Sequence, residues 1–446
     1  MKKSFLLAGC LLLCLCVVHC TGAQQPKKDF VRVENGQFIR NGQPYHFIGF
    51  NFWYAGVLAS EGVNGDRARL SKELDFLKAN GIDNLRIMVG ADGPTNVAKA
   101  SPSLQIEPGV YNDTLLLGLD YLLDQLDKRD MLAILFFNNT WEWTGGYSQY
   151  LEWAGHGKAP VPAVDTWPVF QQYVQQYMKC APCDSLFKAH VKNIITRTNT
   201  ITGRKYSEEP AIMAWQIGNE PRPMGRDNNP AFVEFIASTA RFIKGLDPNH
   251  MVSVGSEGYY GCEENWELFE TIHQDKNIDY LTCHIWPKNW LWIDVTNVPA
   301  SLSLAVKMTK DYLMNHLDYA VELNKPLVLS EFGFPRDNHL YSREDPTVAR
   351  DAYYKEIYDI LVNAIKRGIP FGGCNMWAWG GFAQPNHVMW QPGDPLTGDP
   401  PQEEQGLNSV FAEDSSTMAL IKSYTATVNT TLFESTVVIT KKDSLQ

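Results

Sequence analysis

Eight apolar segments of strand length, mostly separated by stretches of helical period, constrain this sequence more than anything else in it. The strand segments fall at 47–52, 83–89, 131–137, a run opening at Ala211, 251–255, 279–285, 326–331 and 371–377. Between them, amphipathic patterns predict helices over 67–80, 115–128, 184–196, 231–246, 305–323 and 349–367. The first shows how the signals agree: Leu70, Leu74 and Leu77 share one face, and Gly81 then ends the helix. Repeated strand–helix units imply parallel strands, and eight of them predict a closed (β/α)8 TIM barrel rather than an open doubly wound sheet. No Gly-rich nucleotide fingerprint follows any strand, which also disfavours the open sheet. Ahead of the first strand, residues 30–48 alternate around Glu34-Asn35-Gly36 and Arg40-Asn41-Gly42, the pattern of a β-hairpin. Three long loops, 139–178, 286–304 and 380–407, all follow strands, so all belong to the barrel face that carries function. The expected organisation is one catalytic domain over 24–446, with a polar tail beyond about residue 429.

The bulk numbers bound the function. A net charge of −11, a pI near 5.4 and no basic block exclude a nucleic-acid partner, which needs a positive footprint. Thirteen tryptophans must partly serve the core of a chain that is 44% hydrophobic, yet such density also suits a groove where indoles stack on sugar faces. Residues 1–23 read as a signal peptide. Lys2 and Lys3 precede an apolar stretch over 5–18 that is too short to span a membrane, and Thr21-Gly22-Ala23 supplies small residues for cleavage. The expectation is a secreted or periplasmic monomer. The alternative is a lipid anchor at the cell surface, through Cys20 or the box Leu7-Ala8-Gly9-Cys10. Outside that segment five cysteines remain, an odd number, so this is not a disulfide scaffold. Cys180 and Cys183 have metal-like spacing without a second pair, which favours a local disulfide or free thiols over zinc. No metal or cofactor is expected.

Chemistry concentrates at the strand ends. Glu220 ends the fourth strand, in Gly218-Asn219-Glu220-Pro221, and Glu331 ends the seventh. In a barrel both point into the mouth. Paired carboxyls about 5–5.5 Å apart perform retaining glycosidic hydrolysis, one donating a proton to the leaving oxygen and the other attacking the anomeric carbon. Their environments must differ, so that one is protonated while the other is ionised. Taken singly these are rim carboxylates that salt bridges would explain. The neighbouring strand ends change that weighting: Arg86 on the second, Asn138 and Asn139 on the third, Asn219 on the fourth, His284 on the sixth and Trp377 on the eighth. Arg86 suits a charge-assisted bond to the nucleophile, His284 a carboxylate or a hydroxyl, Asn219 a 2-hydroxyl, and Trp377 the floor of the subsite.

The ordered set Gly49-Phe50-Asn51-Phe52-Trp53-Tyr54, Leu85-Arg86-Ile87, Gln216-Ile217-Gly218-Asn219-Glu220-Pro221, His284-Ile285-Trp286-Pro287, Ser330-Glu331-Phe332-Gly333 and Trp377-Ala378-Trp379-Gly380-Gly381 resembles glycoside hydrolase family 5. The resemblance spans nearly the whole chain after the signal segment. It runs on to Asp399-Pro400-Pro401-Gln402-Glu403 and Gln405-Gly406-Leu407. Asn138-Asn139-Thr140-Trp141-Glu142-Trp143 and Gly255-Ser256-Glu257-Gly258 are similar to the β-mannanase branch. The resemblance implies that Glu220 is the acid/base and Glu331 the nucleophile. It also implies that Asn219, Arg86, His284 and Trp377 hold the sugar at the cleaved bond, and that the substrate is β-1,4-mannan, glucomannan or galactomannan. That branch often has a tyrosine two residues after the strand-six histidine. Here Trp286 stands instead, so Trp286 or a nearby tyrosine such as Tyr259 is the candidate partner of the nucleophile.

Trp53, Trp141, Trp143, Trp286, Trp290 and Trp292 are candidate sugar platforms, about half of them expected to be packing. Asn139 is read as substrate-binding and Glu142 and Glu257 as substrate contacts or loop anchors, and Asp394 and Asp399 lack the spacing of a calcium site. The reading is thus an endo-acting retaining β-mannanase. Its rivals are an exo-acting β-mannosidase or an endoglucanase on the same fold, and a non-catalytic glycan-binding barrel. A long loop walling off one end of the groove would make the enzyme exo-acting.

Overall fold

The structure, a computed structural model, describes residues 29–95 and 98–431. The signal segment and the lipid-attachment cysteines lie outside them. Eight parallel strands form the centre: β1 (Phe47–Asn51), β2 (Asn84–Met88), β3 (Leu132–Phe136), β4 (Ile212–Gln216), β5 (Met251–Ser253), β6 (Leu281–Ile285), β7 (Leu327–Phe332) and β8 (Phe371–Met376). Their order around the sheet is β5-β4-β3-β2-β1-β8-β7-β6. The circle closes between β5 and β6 through a parallel bridge from Ser253 to Tyr280, beside an Asp279 N–H donated to the Val252 carbonyl at 2.8 Å. Every residue of these strands is buried, as expected for strands covered by helices outside and by side chains within.

Each strand is followed by a helix: α1 (Arg67–Ala79), α2 (Asp113–Lys128), α3 (Ala181–Ile195), α4 (Asn229–Leu246), α5 (Trp266–Gln274), α6 (Val298–Leu323), α7 (Val348–Arg367) and α8 (Ser415–Thr430). The starts are capped as the sequence suggests. Asp66 accepts the Arg69 N–H at 2.9 Å, Asn112 the Thr114 N–H at 3.1 Å and Asn265 the Leu268 N–H at 3.1 Å. Two of the eight helices, α5 and α8, were not anticipated. The first is nine residues long and buries Leu268, Phe269, Ile272 and His273. The second is rich in Ser and Thr, poor helix formers, and is held by Met418, Ile421 and Val428 against the core.

The amino-terminal strands (Arg32–Glu34, Gln37–Arg40 and Gln43–Pro44) pair antiparallel. Both turns place Asn and Gly at positive φ, Asn35 at 50° and Gly36 at 74°, then Asn41 at 52° and Gly42 at 74°. This is the tight-turn geometry that Asn-Gly pairs favour. The hairpin delivers Phe38 against Phe47 and Tyr280, in a cluster with Leu132, Ile134, Met213 and Val328 that fills the barrel floor. The opposite end, where the strands terminate, is left for the loops. Among the described residues no helix is long and apolar enough to cross a membrane.

Candidate active site

β4 stops at Gln216, four residues before Glu220, yet the chain keeps its course. The amides of Ile217, Gly218 and Glu220 donate to the carbonyls of Ser253, Val254 and Gly255 at 3.0, 3.3 and 2.9 Å. Asn219 bridges to Asn139 on the other side. Glu220 itself takes φ +51°, a left-handed conformation that costs a non-glycine residue energy and is found at functional sites. Glu331, by contrast, lies within β7 with no positive φ, beside a register shift at Ser330 against β6 and β8. One carboxyl oxygen of each, with one nitrogen of His284, falls in a group whose atoms all lie within 4.8 Å of one another. That spacing matches the retaining arrangement, not the 6.5–9.5 Å needed to place a water between the two carboxyls.

The two carboxyls have different company. Glu331 accepts from the Arg86 guanidinium, which is fully buried. Arg86 also donates to Asn51 Oδ1 at 3.0 Å, Gln216 Oε1 at 2.6 Å and Asn219 Oδ1 at 2.9 Å. Its face lies over the Phe136 ring at 4.6 Å. A buried cation is tolerable because four acceptors, one of them the Glu331 carboxylate, and an aromatic face surround it. Glu220 accepts instead from neutral indole N–H groups, those of Trp141 and, at 3.3 Å, Trp286. His284 spans the pair: Nδ1 is 2.8 Å from Glu220 Oε1 and 3.3 Å from Glu331 Oε2, while Nε2 is 3.0 Å from Ser330 Oγ.

Burial pushes both carboxyls up from their ordinary pKa values, Glu331 well above and Glu220 less so. Arg222 opposes this first at Glu220, and Arg86 opposes it first at Glu331. Carboxyls this close do not both ionise readily, so the pair carries one proton. Contact geometry, rather than burial, assigns the charge: Arg86 touches Glu331 directly, whereas Arg222 is paired with Glu257, so the negative charge goes to Glu331 and the proton to Glu220. Burial, then Arg86, holds His284 well below its usual range, so the ring is neutral and alters the charge of neither partner. Two carboxylates and an imidazole can also ligate a cation, but a cation here would face the Arg86 guanidinium directly.

Around the pair lies a cleft of about 510 Å³, within the range of small-molecule sites. Of the predicted residues, Asn219, Trp141, Trp286, Trp377 and Glu257 line it with the two glutamates. Arg86 and His284 sit beneath, touching the carboxyls. Two predictions change. Trp53 is not a platform: it is 1% exposed, donates to the Gly398 carbonyl at 2.8 Å, and packs edge-on against Trp143. Asn139 is buried behind Asn219, accepting its side-chain amide at 3.1 Å, and so orients it rather than facing the cleft. The nucleophile's partner is also not as anticipated. Trp286 donates to Glu220, and Tyr259 stacks on Trp266 at 4.7 Å.

The remaining candidates divide. Trp143 and Trp290 line the cleft, whereas Trp292 packs against Trp290. Glu257 is ion-paired with Arg222, and burial pushes its pKa up to about 7. Asp399 anchors a loop, accepting the amides of Gly406, Asn408 and Ser409. Asp394 does likewise with His387 and the Gln391 amide. Cys180 and Cys183 are joined in a disulfide at the start of α3. Sequence reasoning gave no role to Asn51 and Gln216, though both stood within quoted motifs. It also missed Arg222, which lies over the Trp141 ring at 5.2 Å. Trp167, Gln171, Lys288, Asn289, Gln402 and Glu403, all from the three long loops, also line it, with Pro400, Glu404, Leu407 and Asn408 beside them.

Comparison with known proteins agrees with this geometry. A sequence model described as "GH family 5 beta-mannosidase-like" matches residues 28–432. Mannan endo-1,4-beta-mannosidase 5 of Solanum lycopersicum is 30% identical over 361 residues, covering 78% of this chain and 81% of its own. The crystal structure of a glycoside hydrolase family 5 mannosidase from Rhizomucor miehei, in complex with mannosyl-fructose, has 34% identity and a TM-score of 0.83. The match covers 90% of this chain and 97% of that one. An endo-1,4-beta-mannanase from the same fungus has the same fold, at 21% identity and a TM-score of 0.67 over 90% and 99% of the two chains. The barrel, its paired strand-end glutamates and the matched length leave one assignment: the chain belongs to glycoside hydrolase family 5, and is a glycosidase.

Proposed function

We propose that the protein hydrolyses β-1,4-mannosidic linkages, in mannan, glucomannan or galactomannan and their oligosaccharides, with retention of configuration. The observation that carries this reading is the asymmetric carboxyl pair, one oxygen of each within 4.8 Å of the other. Glu331, held ionised by Arg86, attacks the anomeric carbon, while Glu220 gives its proton to the departing oxygen. Glu220 then takes a proton from the water that releases the sugar from Glu331. Asn219, fixed by Arg86 and Asn139, presents its remaining amide hydrogen to the sugar at the cleaved bond. Trp377, 4% exposed at the cleft floor, lies beneath that sugar. The mannose assignment draws on the names of the relatives.

Two readings differ on where the chain is cut. The curated relatives' names support internal cleavage. The geometry favours release from a chain end. The loop after β8 is pinned over the end of β1 by the Trp53–Gly398 bond and locked by Asp399, and it borders the cleft with Pro400, Gln402, Glu403, Glu404, Leu407 and Asn408. Gln402 Oε1 and Glu403 Oε2 are buried there without hydrogen-bond partners, so they are available to a sugar's hydroxyls beside that loop. We take chain-end action as the first reading and internal cleavage as the second. Digestion of mannohexaose tests both: early products of mannose and mannopentaose support the first, and early mannobiose, mannotriose and mannotetraose support the second. Hydrolysis of carboxymethyl-cellulose but not glucomannan or mannohexaose would refute the mannose assignment.

A further inference from the structure

A second and larger hollow, of about 830 Å³, opens beside the catalytic cleft. It lies between the short helix Trp167–Val174 and the segment that follows Glu220. Met224 and Asn228 form its buried floor, and Gln172, Gln175, Lys179 and Arg226 its exposed walls. Asn228 is fixed in place, donating to the carbonyls of Gln175 and Pro223 at 2.9 Å each.

The helix between hollow and cleft is unusual in what it exposes. Phe170 and Val174 turn inward, but Trp167 is 48% exposed and Val169 47%. Four glutamines, at 171, 172, 175 and 176, follow at i,i+4 spacing along it and its continuation. Gln171 and Trp167 line the catalytic cleft, whereas Val169, Gln172, Gln175 and Gln176 line the hollow. An exposed indole and an exposed valine beside primary amides match a saccharide, whose faces are apolar and whose edges carry hydroxyls that both donate and accept.

The position of the hollow follows from the chemistry of Glu220. An acid that protonates the departing oxygen stands on the leaving-group side. Its partner Trp141 meets Trp167 edge-on at 5.8 Å, so that side leads directly onto the helix. We propose that this hollow is a second saccharide site, which holds the portion of a β-mannan-type chain extending past Trp167 on the leaving-group side. The proposal rests on the mannan reading above.

The test uses the triple variant Gln172→Ala/Gln175→Ala/Arg226→Ala, none of whose positions lines the catalytic cleft. Placed in a Glu331→Gln background, so that no chain is cut, it is run on native gels containing galactomannan or glucomannan. The expected result is an apparent affinity for the polymer roughly fivefold weaker than that of Glu331→Gln alone, as for a few lost exposed hydrogen bonds. With Glu331 restored, the triple variant hydrolyses a nitrophenyl β-mannoside at the wild-type rate. Retardation equal to that of Glu331→Gln alone overturns the second site. Failure of the unmodified protein to hydrolyse any mannoside overturns the functional reading instead, so the two failures are distinguishable.

Discussion

Glu220 and Glu331 are the same residue type in equivalent places, yet the two regions that hold them are built differently. The β7 side offers a charge: Arg86, wholly buried, reaches Glu331 and is held in place by Asn51, Gln216 and Asn219. The β4 side offers neutral donors in contact, the indoles of Trp141 and Trp286, on a residue forced to positive φ, and its one nearby cation, Arg222, is already paired with Glu257. Burial alone would raise both pKa values and make the two carboxyls interchangeable. The partners, not the carboxyls, divide the labour between nucleophile and acid.

The sharpest way to break this comparison is to remove each carboxyl in turn. Glu331→Gln should lower kcat/KM by at least about a thousandfold on every mannoside, because no nucleophile remains. Glu220→Ala should lose about 10²–10⁴-fold on mannobiose, whose leaving oxygen needs a proton. It should lose far less in the mannosylation step of a dinitrophenyl β-mannoside, whose leaving group needs none, and a burst of dinitrophenol would show this. Equal losses on both substrates would mean that Glu220 is not the acid.

Smaller changes sharpen the contrast. Arg86→Met strips the positive charge from the β7 side, and breaking a buried pair costs about 3–5 kcal/mol, readable by denaturant unfolding. The sign of its pH effect is fixed. Arg86 holds the Glu331 pKa down against burial, so without it Glu331 ionises at higher pH, and the acid limb of kcat/KM moves upward. Trp141→Phe removes one neutral donor from Glu220 and should cost about tenfold or less in kcat/KM. It should also let the basic limb move up, since the indole N–H opposes the rise of the Glu220 pKa.

The barrel was legible because the eight strands lie in mainly apolar segments of strand length, spaced by helical patterns, so they could be counted from sequence. Arg86, Asn219, Glu220, His284, Glu331 and Trp377, picked out in or just after those strands, come together at the cleft in the structure. What a loop does after leaving a strand was not legible. Trp53 directly follows Phe52 in an aromatic run, but the chain turns at once into the helix Ala55–Leu58, and the loop from β8 closes over it through Gly398. Asn139 reads as a cleft residue until Asn219 takes its amide bond. The helix α8 was obscured by its serines and threonines, whose low propensity is overridden by packing on the barrel. In each case a contact hundreds of positions away, or the path of a loop, decides the outcome. Local pattern does not encode these.

The central claim is that Glu331 forms a covalent bond to the sugar while Glu220 does not. Incubation with a 2-deoxy-2-fluoro-mannosyl fluoride of β configuration, which slows release of the intermediate, followed by peptide mass spectrometry, tests it directly. The account predicts one added fluoromannosyl group, on the peptide containing Ser330-Glu331-Phe332. A label on Glu220, or turnover with no trapped sugar and inverted product, would contradict it.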